Sequence, residues 1–287
     1  MLQSKGIYTT KPGQFSSISG NLDDISTIEF IDQNPIGQSS RSNPVTYIKA
    51  YDDIRNLFAK QSASKQFSFK PKHFSFNVDG GRCDDCKGEG TIKVEMQFMA
   101  DINLICETCK GKRFKKNVLQ VTYQNKNIDD ILKMTIDEGH NFFHENGQNK
   151  IANKLKALID VGMGYVNLGQ SSSTLSGGEA QRIKLASFIL KGQSAAKTLF
   201  IFDEPTTGLH FHDIKKLLNS FNHLISYGHS IIVVEHNIEL IKSSDYIVDL
   251  GPYGGIKGGE LIFEGSPEKL VKNKKSLLTK FLKTKLG

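Results

Sequence analysis

The stretch "LFIFDEPTTGLH", residues 199–210, decides the fold. Its first four residues are all apolar, so the strand they form must be covered on both faces, as in a parallel sheet between helical layers. Two acids, Asp203 and Glu204, close that strand, and Pro205 and Gly208 turn the chain away from it. An acid in the place of Asp203 can hold a magnesium ion, and one in the place of Glu204 can orient and polarise a water, the division of labour that phosphoryl transfer asks for. Acids at a solvated strand end are common, so the pair is not decisive by itself.

Working outward, residues 212–228 place Ile214, Leu217, Leu218, Phe221, Leu224 and Ile225 on one face of a helix that Gly228 can stop. "SIIVVEH" (230–236) is a second apolar strand and ends in His236, within reach of a terminal phosphate. A short helix over 237–244, a strand over 245–251, then a strand and a proline-started helix over 258–270 complete the pattern. Apolar strands alternating with amphipathic helices predict an α/β fold with a mostly parallel sheet. The tail, 272–287, reads as a frayed basic helix.

Upstream, "TLSGGEAQRIKLA" (174–186) sets Ser176, Gly177, Gly178 and Glu179 at the start of a helix spanning about residues 178–190. Ser176 can cap it, and the glycines let its free N–H groups and partial positive charge approach an anion. Alone, this is also an ordinary capped turn. Earlier still, "STIEFIDQ" (26–33) predicts a strand, and Ile48, Tyr51, Ile54, Leu57 and Phe58 recur at helical spacing. Helical patterns also cover 130–139 and 151–162.

All four cysteines lie in two C-x-x-C pairs, Cys83 with Cys86 and Cys106 with Cys109. Two such pairs close a tetrahedral zinc site, with the residues between them making a hairpin-like excursion. Four reduced, unliganded thiols are the alternative. "CDDCKGEG" also has the C-x-x-C-x-G-x-G form of the zinc region of J-type co-chaperones, but "CETCKGKR" departs from it.

The 287 residues carry a net charge of +7. Two clusters concentrate it. Residues 60–76 interleave Lys60, Lys65, Lys70, Lys72 and His73 with Phe67, Phe69, Phe74 and Phe76, and "KGKRFKK" (110–116) holds Lys110, Lys112, Arg113 and Lys115 beside the second cysteine pair. Such clusters suit phosphate contacts on nucleic acid; they also suit a solvated basic face over core phenylalanines. No apolar run approaches the roughly 18 residues of a membrane span, and the first residues lack a signal-peptide core. The expectation is a cytoplasmic protein.

Taken in order, these motifs resemble the nucleotide-binding domain of ABC-type ATPases. "LSGGEAQRIKLA" is similar to the signature motif, "FIFDEP" to the Walker B strand, "TTGLH" to the D-loop, His236 to the switch histidine and "IDQNPIG" (31–37) to the Q-loop with Gln33 as its glutamine. Within that class, "DQNPIGQSSRSNPVTY", "FSFNVDGGRCDDCKGEG", "VGMGYVNLGQSSSTLSGGEAQRIKLA" and "DEPTTGLHFHDI" resemble the UvrA family of damage-recognition ATPases of bacterial nucleotide excision repair, over about residues 20–270.

The resemblance implies an ABC-ATPase-type nucleotide-binding domain in three parts: a partial core over 1–45 with the Q-loop, an inserted signature-type subdomain over 46–165 with the zinc module at 83–109, and the ATPase core over 166–287. It implies ATP and Mg²⁺, with Gln33, Ser176, Gly177, Gly178, Glu179 and Asp203 at nucleotide and Glu204, His236 and Asp203 in catalysis. It implies one structural Zn²⁺ on the four cysteines, damaged double-stranded DNA as ligand, UvrB as the protein that receives the site, and a homodimer. Lys70, Lys72, Lys110, Lys112, Arg113 and Lys115 are the residues expected on DNA.

One part of the pattern is missing. The phosphate-cradling G-x-x-x-x-G-K-[ST] does not occur: Gly111-Lys112 is followed by Arg113, and Cys106 stands where the first glycine belongs. The expectation is therefore a C-terminal half whose sheet is incomplete at its N-terminus. Its signature would face ATP held by another domain, the N-terminal half in a full-length protein, and the half alone would not turn ATP over. Two other readings stay open: a non-catalytic zinc-dependent DNA- or partner-binding module, and a UvrA-like paralogue conferring drug resistance.

Overall fold

A computed structural model describes residues 13–34, 36–37, 42–96, 101–192 and 196–286. In chain order the first elements are β1 (Thr27–Ile31), α1 (Pro44–Tyr47), α2 (Ala50–Ala59), α3 (Ser62–Gln66), β2 (Thr91–Val94) and β3 (Ile102–Ile105). A two-residue pair follows, β4 (Thr122–Tyr123) and β5 (Lys126–Asn127), then α4 (Ile128–Lys133), α5 (Ile136–Glu145), α6 (Asn149–Asp160) and α7 (Gly177–Lys191). The chain ends with β6 (Thr198–Asp203), α8 (Phe211–Ser226), β7 (Ser230–Val234), α9 (Ile238–Lys242), β8 (Ile247–Gly251), β9 (Glu260–Gly265), α10 (Pro267–Leu270) and α11 (Leu278–Leu286).

Packing divides the chain into two units. The described residues up to Ile31 group with those from 196 onward, and those from Asp32 to 192 group with one another. Residues 42–45 and 166–192 group with the cysteine-bearing residues. The Asp32 carboxylate pairs with Lys184 at 2.8 Å, Ser172 N–H donates to the Ser42 carbonyl at 2.7 Å, and Gly169 N–H donates to Leu132 at 2.8 Å.

In the first unit, β6 lies between β1 and β7 and runs parallel to both. Alternate residues point to opposite faces. Phe200 and Phe202 are buried on one face, where Phe202 meets Phe221 of α8 with ring centroids 4.7 Å apart. On the other face Phe30, Ile201 and Ile232 form a cross-strand row. Phe30 and Ile232 are 59% and 50% exposed there, so the double cover that the apolar strands imply is realised on one face.

The apolar character of residues 245–251 predicts another parallel strand; β8 instead pairs antiparallel with β9, in a separate two-stranded sheet. Only residues 252–259 join β8 to β9, fewer than the dozen or more of a parallel crossover, so these two strands pair antiparallel. Leu282 of α11 is fully buried against Ile247 and Leu270, which anchors the basic tail.

In the second unit, α2 sends Ile54 and Phe58 into a core shared with Phe74 and Phe76. The Tyr51 hydroxyl donates to the Phe74 carbonyl at 2.6 Å. The expected helix over 130–139 is broken at Met134, since Thr135 caps α5 in a reciprocal box with Glu138. Helix α7 buries Ala180, Gln181, Arg182, Ile183, Leu185 and Ala186, more than one face of its cylinder. No helix among the described residues is long and apolar enough to cross a membrane.

His229 ties the start of β6 to the turn before β7: its buried ring takes the Thr198 N–H on Nδ1 at 3.1 Å. Burial lowers its pKa from 6.5, so the unfolded chain takes up the proton at a higher pH than the folded one. Stability is therefore expected to fall as pH drops below about 6.5, by at most about 1.4 kcal/mol per pH unit from this group. Chemical denaturation of wild type and His229→Asn across pH 5–7.5 checks it; the pH-dependence should be shallower in the variant, which keeps an acceptor but cannot titrate.

Candidate functional site

The strand-end residues converge in the first unit. Val234 pairs with Asp203, and the Glu204 N–H donates to the Val234 carbonyl at 2.9 Å, so the ends of β6 and β7 lie side by side. That placement brings His236 Nε2 to 3.7 Å from Glu204 Oε1, with both side chains open to solvent. Glu204 sits at φ 44, a left-handed backbone that costs a non-glycine residue of order 1–3 kcal/mol and is tolerated where surroundings over-determine it.

Glu235 supplies that surround, and sequence reading passed over it. One carboxylate oxygen accepts the Thr206 N–H at 3.0 Å and the Thr206 hydroxyl. The other accepts the N–H groups of His236 at 2.6 Å and Asn237 at 2.8 Å. It thus staples the turn after Glu204 to the strand end bearing His236. The only signal in the sequence was an acid directly before that histidine.

The glycine-opened helix tip lies in the second unit, together with Gln33. Ser176 and Glu179 form a reciprocal cap: Glu179 N–H donates to Ser176 Oγ at 3.3 Å, and Ser176 N–H to Glu179 Oε2 at 2.8 Å. Tyr165 adds a third bond, donating its hydroxyl to Glu179 Oε1 at 2.5 Å, and its pKa is pushed up to about 12 by desolvation and then by that carboxylate. Gly177 has no room for a side chain, because a Cβ would stand 2.8 Å from Gln33 Cβ. Lys184, further along α7, holds Asp32 Oδ1 at 2.8 Å and keeps that carboxyl below the usual range, chiefly through the hydrogen bond. A helix N-terminus so capped presents N–H groups suited to an anion.

The four cysteines meet as expected. Their sulfurs all lie within 4.8 Å of one another and are buried. Cys83 and Cys106 are 3.9 Å apart, and Cys86 and Cys109 are 3.6 Å apart. A tetrahedral ion with bonds of about 2.3 Å to sulfur needs edges of about 3.8 Å, whereas a disulfide needs about 2.05 Å. The residues present therefore fit a zinc ion. N–H groups of the turns point at the sulfurs: Gly90 N–H donates to Cys86 at 3.3 Å, and the Cys109 N–H leads in lowering Cys106 to about 7. Burial raises Cys83, and pushes Cys109 up to about 12. Strands β2 and β3 form the antiparallel excursion between the pairs.

The basic residues divide. Lys70 and Lys72 flank Pro71 on an exposed turn, and Lys110 and Lys112 are exposed beside the second cysteine pair. Lys115 pairs with Asp84 at 2.8 Å. Arg113 is half buried, donating from Nη1 to the Gly169 carbonyl at 2.9 Å with its guanidinium 5.6 Å from the Phe76 ring centroid. Of the interleaved phenylalanines, Phe74 and Phe76 are core and Phe67 is exposed.

The parallel sheet, the capped glycine helix tip and the acid-and-histidine strand ends define an ABC-type nucleotide-binding fold. A sequence profile of the ABC transporter family matches residues 84–207. The particular proteins this chain resembles are UvrA proteins. It is 53% identical over 272 residues to UvrABC system protein A of Clostridium perfringens, covering 95% of this chain and 28% of that protein. It is 50% identical over 273 residues to the same protein of Staphylococcus aureus strain COL, again over 95% of this chain and 28% of the relative. The crystal structure of UvrA2 from Deinococcus radiodurans superposes with a TM-score of 0.86 at 39% identity, covering 94% of this chain and 33% of that one. The chain thus spans less than a third of the length of these curated relatives.

The metal site makes a direct forecast. The purified chain should hold one zinc equivalent by atomic emission. Cys106→Ser should lose it and exchange backbone amides faster across residues 83–113; retention of a full equivalent by that variant would contradict the ligand set.

Proposed function

We propose that this chain is the C-terminal nucleotide-binding half of a UvrA-type ATPase that recognises damaged double-stranded DNA and passes the site to UvrB. The observation that carries the ATPase reading is the 3.7 Å approach of His236 to Glu204 at the ends of adjacent parallel strands. In this reading Asp203 would ligate Mg²⁺, Glu204 orients the attacking water, and His236 contacts the terminal phosphate as charge builds on it. Bound ATP and Mg²⁺ would supply the phosphoryl group and neutralise its charge. The N–H groups at Gly177 and Gly178, beside the Ser176 cap, serve a different nucleotide, one held by the lysine loop of another domain, with Gln33 beside them.

The zinc module and the basic turn serve DNA. Exposed Lys70, Lys72, Lys110 and Lys112 contact phosphate, which fixes register without reading bases. Damage is then sensed through altered duplex deformability. Arg113 and Lys115 contribute less, since Gly169 and Asp84 already engage them. The resemblance also supports assembly as a homodimer.

Two experiments test this. No lysine loop lies within these 287 residues, so the purified chain should show no ATP turnover that Glu204→Gln removes. Glu204-dependent turnover by the isolated chain would sink the division of labour between domains. In duplex binding, the slope of log affinity against log salt should fall by about one for each of Lys110→Ala and Lys112→Ala, and by less for Lys115→Ala. Equal slopes for all four proteins would remove this surface from the DNA interface.

A further inference from the structure

The two cysteine turns share one C-x-x-C-K-G pattern and one backbone course. "CDDCKGEG" (83–90) and "CETCKGKR" (106–113) align at a constant offset of 23 residues, the separation at which their sulfurs pair. Lys87 and Lys110 take φ 50 and 48, and Gly88 and Gly111 take φ 87 and 81. The hydrogen bonds are reciprocal: Cys83 N–H donates to the Arg113 carbonyl at 2.8 Å, and Cys106 N–H to the Gly90 carbonyl at 3.0 Å. The last position breaks the symmetry. Gly90 has φ 82, and Arg113 holds the same left-handed backbone at φ 68. An arginine is strained there, where a glycine is not.

What the arginine does with that position is visible. Its Nη1 donates to the Gly169 carbonyl at 2.9 Å, and its guanidinium lies over the Phe76 ring. Gly169 is also held by Leu132, to which its N–H donates at 2.8 Å, and a Cβ at Gly169 would meet Leu132 Cβ at 2.9 Å and Arg113 Nη1 at 3.4 Å. From that clamp the chain runs through a short turn, where Leu175 N–H donates to the Ser172 carbonyl at 3.3 Å, to Ser176 at the tip of α7.

We propose that Arg113 is a positioning residue that couples ion binding at the four cysteines to the loop from Gly169 to Ser176, and so to the phosphate-facing tip of α7. This rests on the zinc and signature readings above. With an ion on Cys106 and Cys109, the turn through Lys110 and Gly111 is closed and the backbone at Arg113 has no alternative. With the ion removed the turn opens, the left-handed strain relaxes, and the guanidinium withdraws from Gly169.

Hydrogen–deuterium exchange of the full 287-residue chain, zinc-loaded and chelator-stripped, tests the coupling. Stripping wild type should speed exchange over residues 170–178 about tenfold, the scale of one charge-assisted hydrogen bond. Arg113→Gly, which restores the residue of the first turn, should keep its zinc equivalent yet exchange that fast when loaded, with no further gain on stripping. Arg113→Lys, which keeps a donor, should fall between. The coupling is refuted if loaded Arg113→Gly protects the segment as wild type does, or if stripping it speeds the segment as much as in wild type. A wild-type chain that binds no zinc would overturn the metal reading and the coupling with it. A chain that binds zinc without any response at 170–178 would overturn the coupling alone.

Discussion

A side chain on Gly177 would collide with Gln33, so the tip of α7 and residues 32–33 meet this closely only through a glycine. The helix tip can stay open to an anion only if nothing of its own chain fills the space before it. Gln33 is kept in contact by the Asp32–Lys184 ion pair, which is partly shielded and so escapes the heavy screening that makes surface pairs worth little. The cap between Ser176 and Glu179, with Tyr165 behind it, takes the carboxylate of Glu179 into bonds along the rim. Residues 32–33 and Tyr165 therefore meet at one helix end.

The strand ends of the first unit follow a different logic. There the chemistry-bearing groups are exposed, and the buried machinery lies beneath them in Phe200, Phe202 and their helix contacts. Glu204 is held in a left-handed backbone and Glu235 spends both oxygens on the turns on either side. Glu235 thus ties together the two strand ends that carry Glu204 and His236.

The cysteine turns join these themes. Their repeated C-x-x-C-K-G turns fit a metal ion, and at the last position Arg113 stands where the first turn has Gly90, with its guanidinium bonded to the Gly169 carbonyl. The basic character read from residues 110–116 is accordingly not one property. Lys110 and Lys112 face solvent, Lys115 balances Asp84, and Arg113 works inside the protein.

The sequence by itself determined the α/β class, the parallel strands at 198–203 and 230–234, the cysteine quartet and the capped helix at 176. Each is a local pattern: an apolar run, a spacing or a capping residue whose physics acts within a few residues. It misjudged 245–251, whose apolar run resembles its parallel neighbours although it pairs with β9, and it ran one helix through Thr135, where a capping box starts another. Only the tertiary structure decided that Glu235 is the staple, that Arg113 turns inward, that Phe74 and Phe76 are core while Phe67 is not, and that α7 packs with the cysteine-bearing unit. Those outcomes depend on which carbonyl, ring or carboxylate a distant segment brings within about 3 Å, the range over which hydrogen bonds form, and no local pattern encodes that.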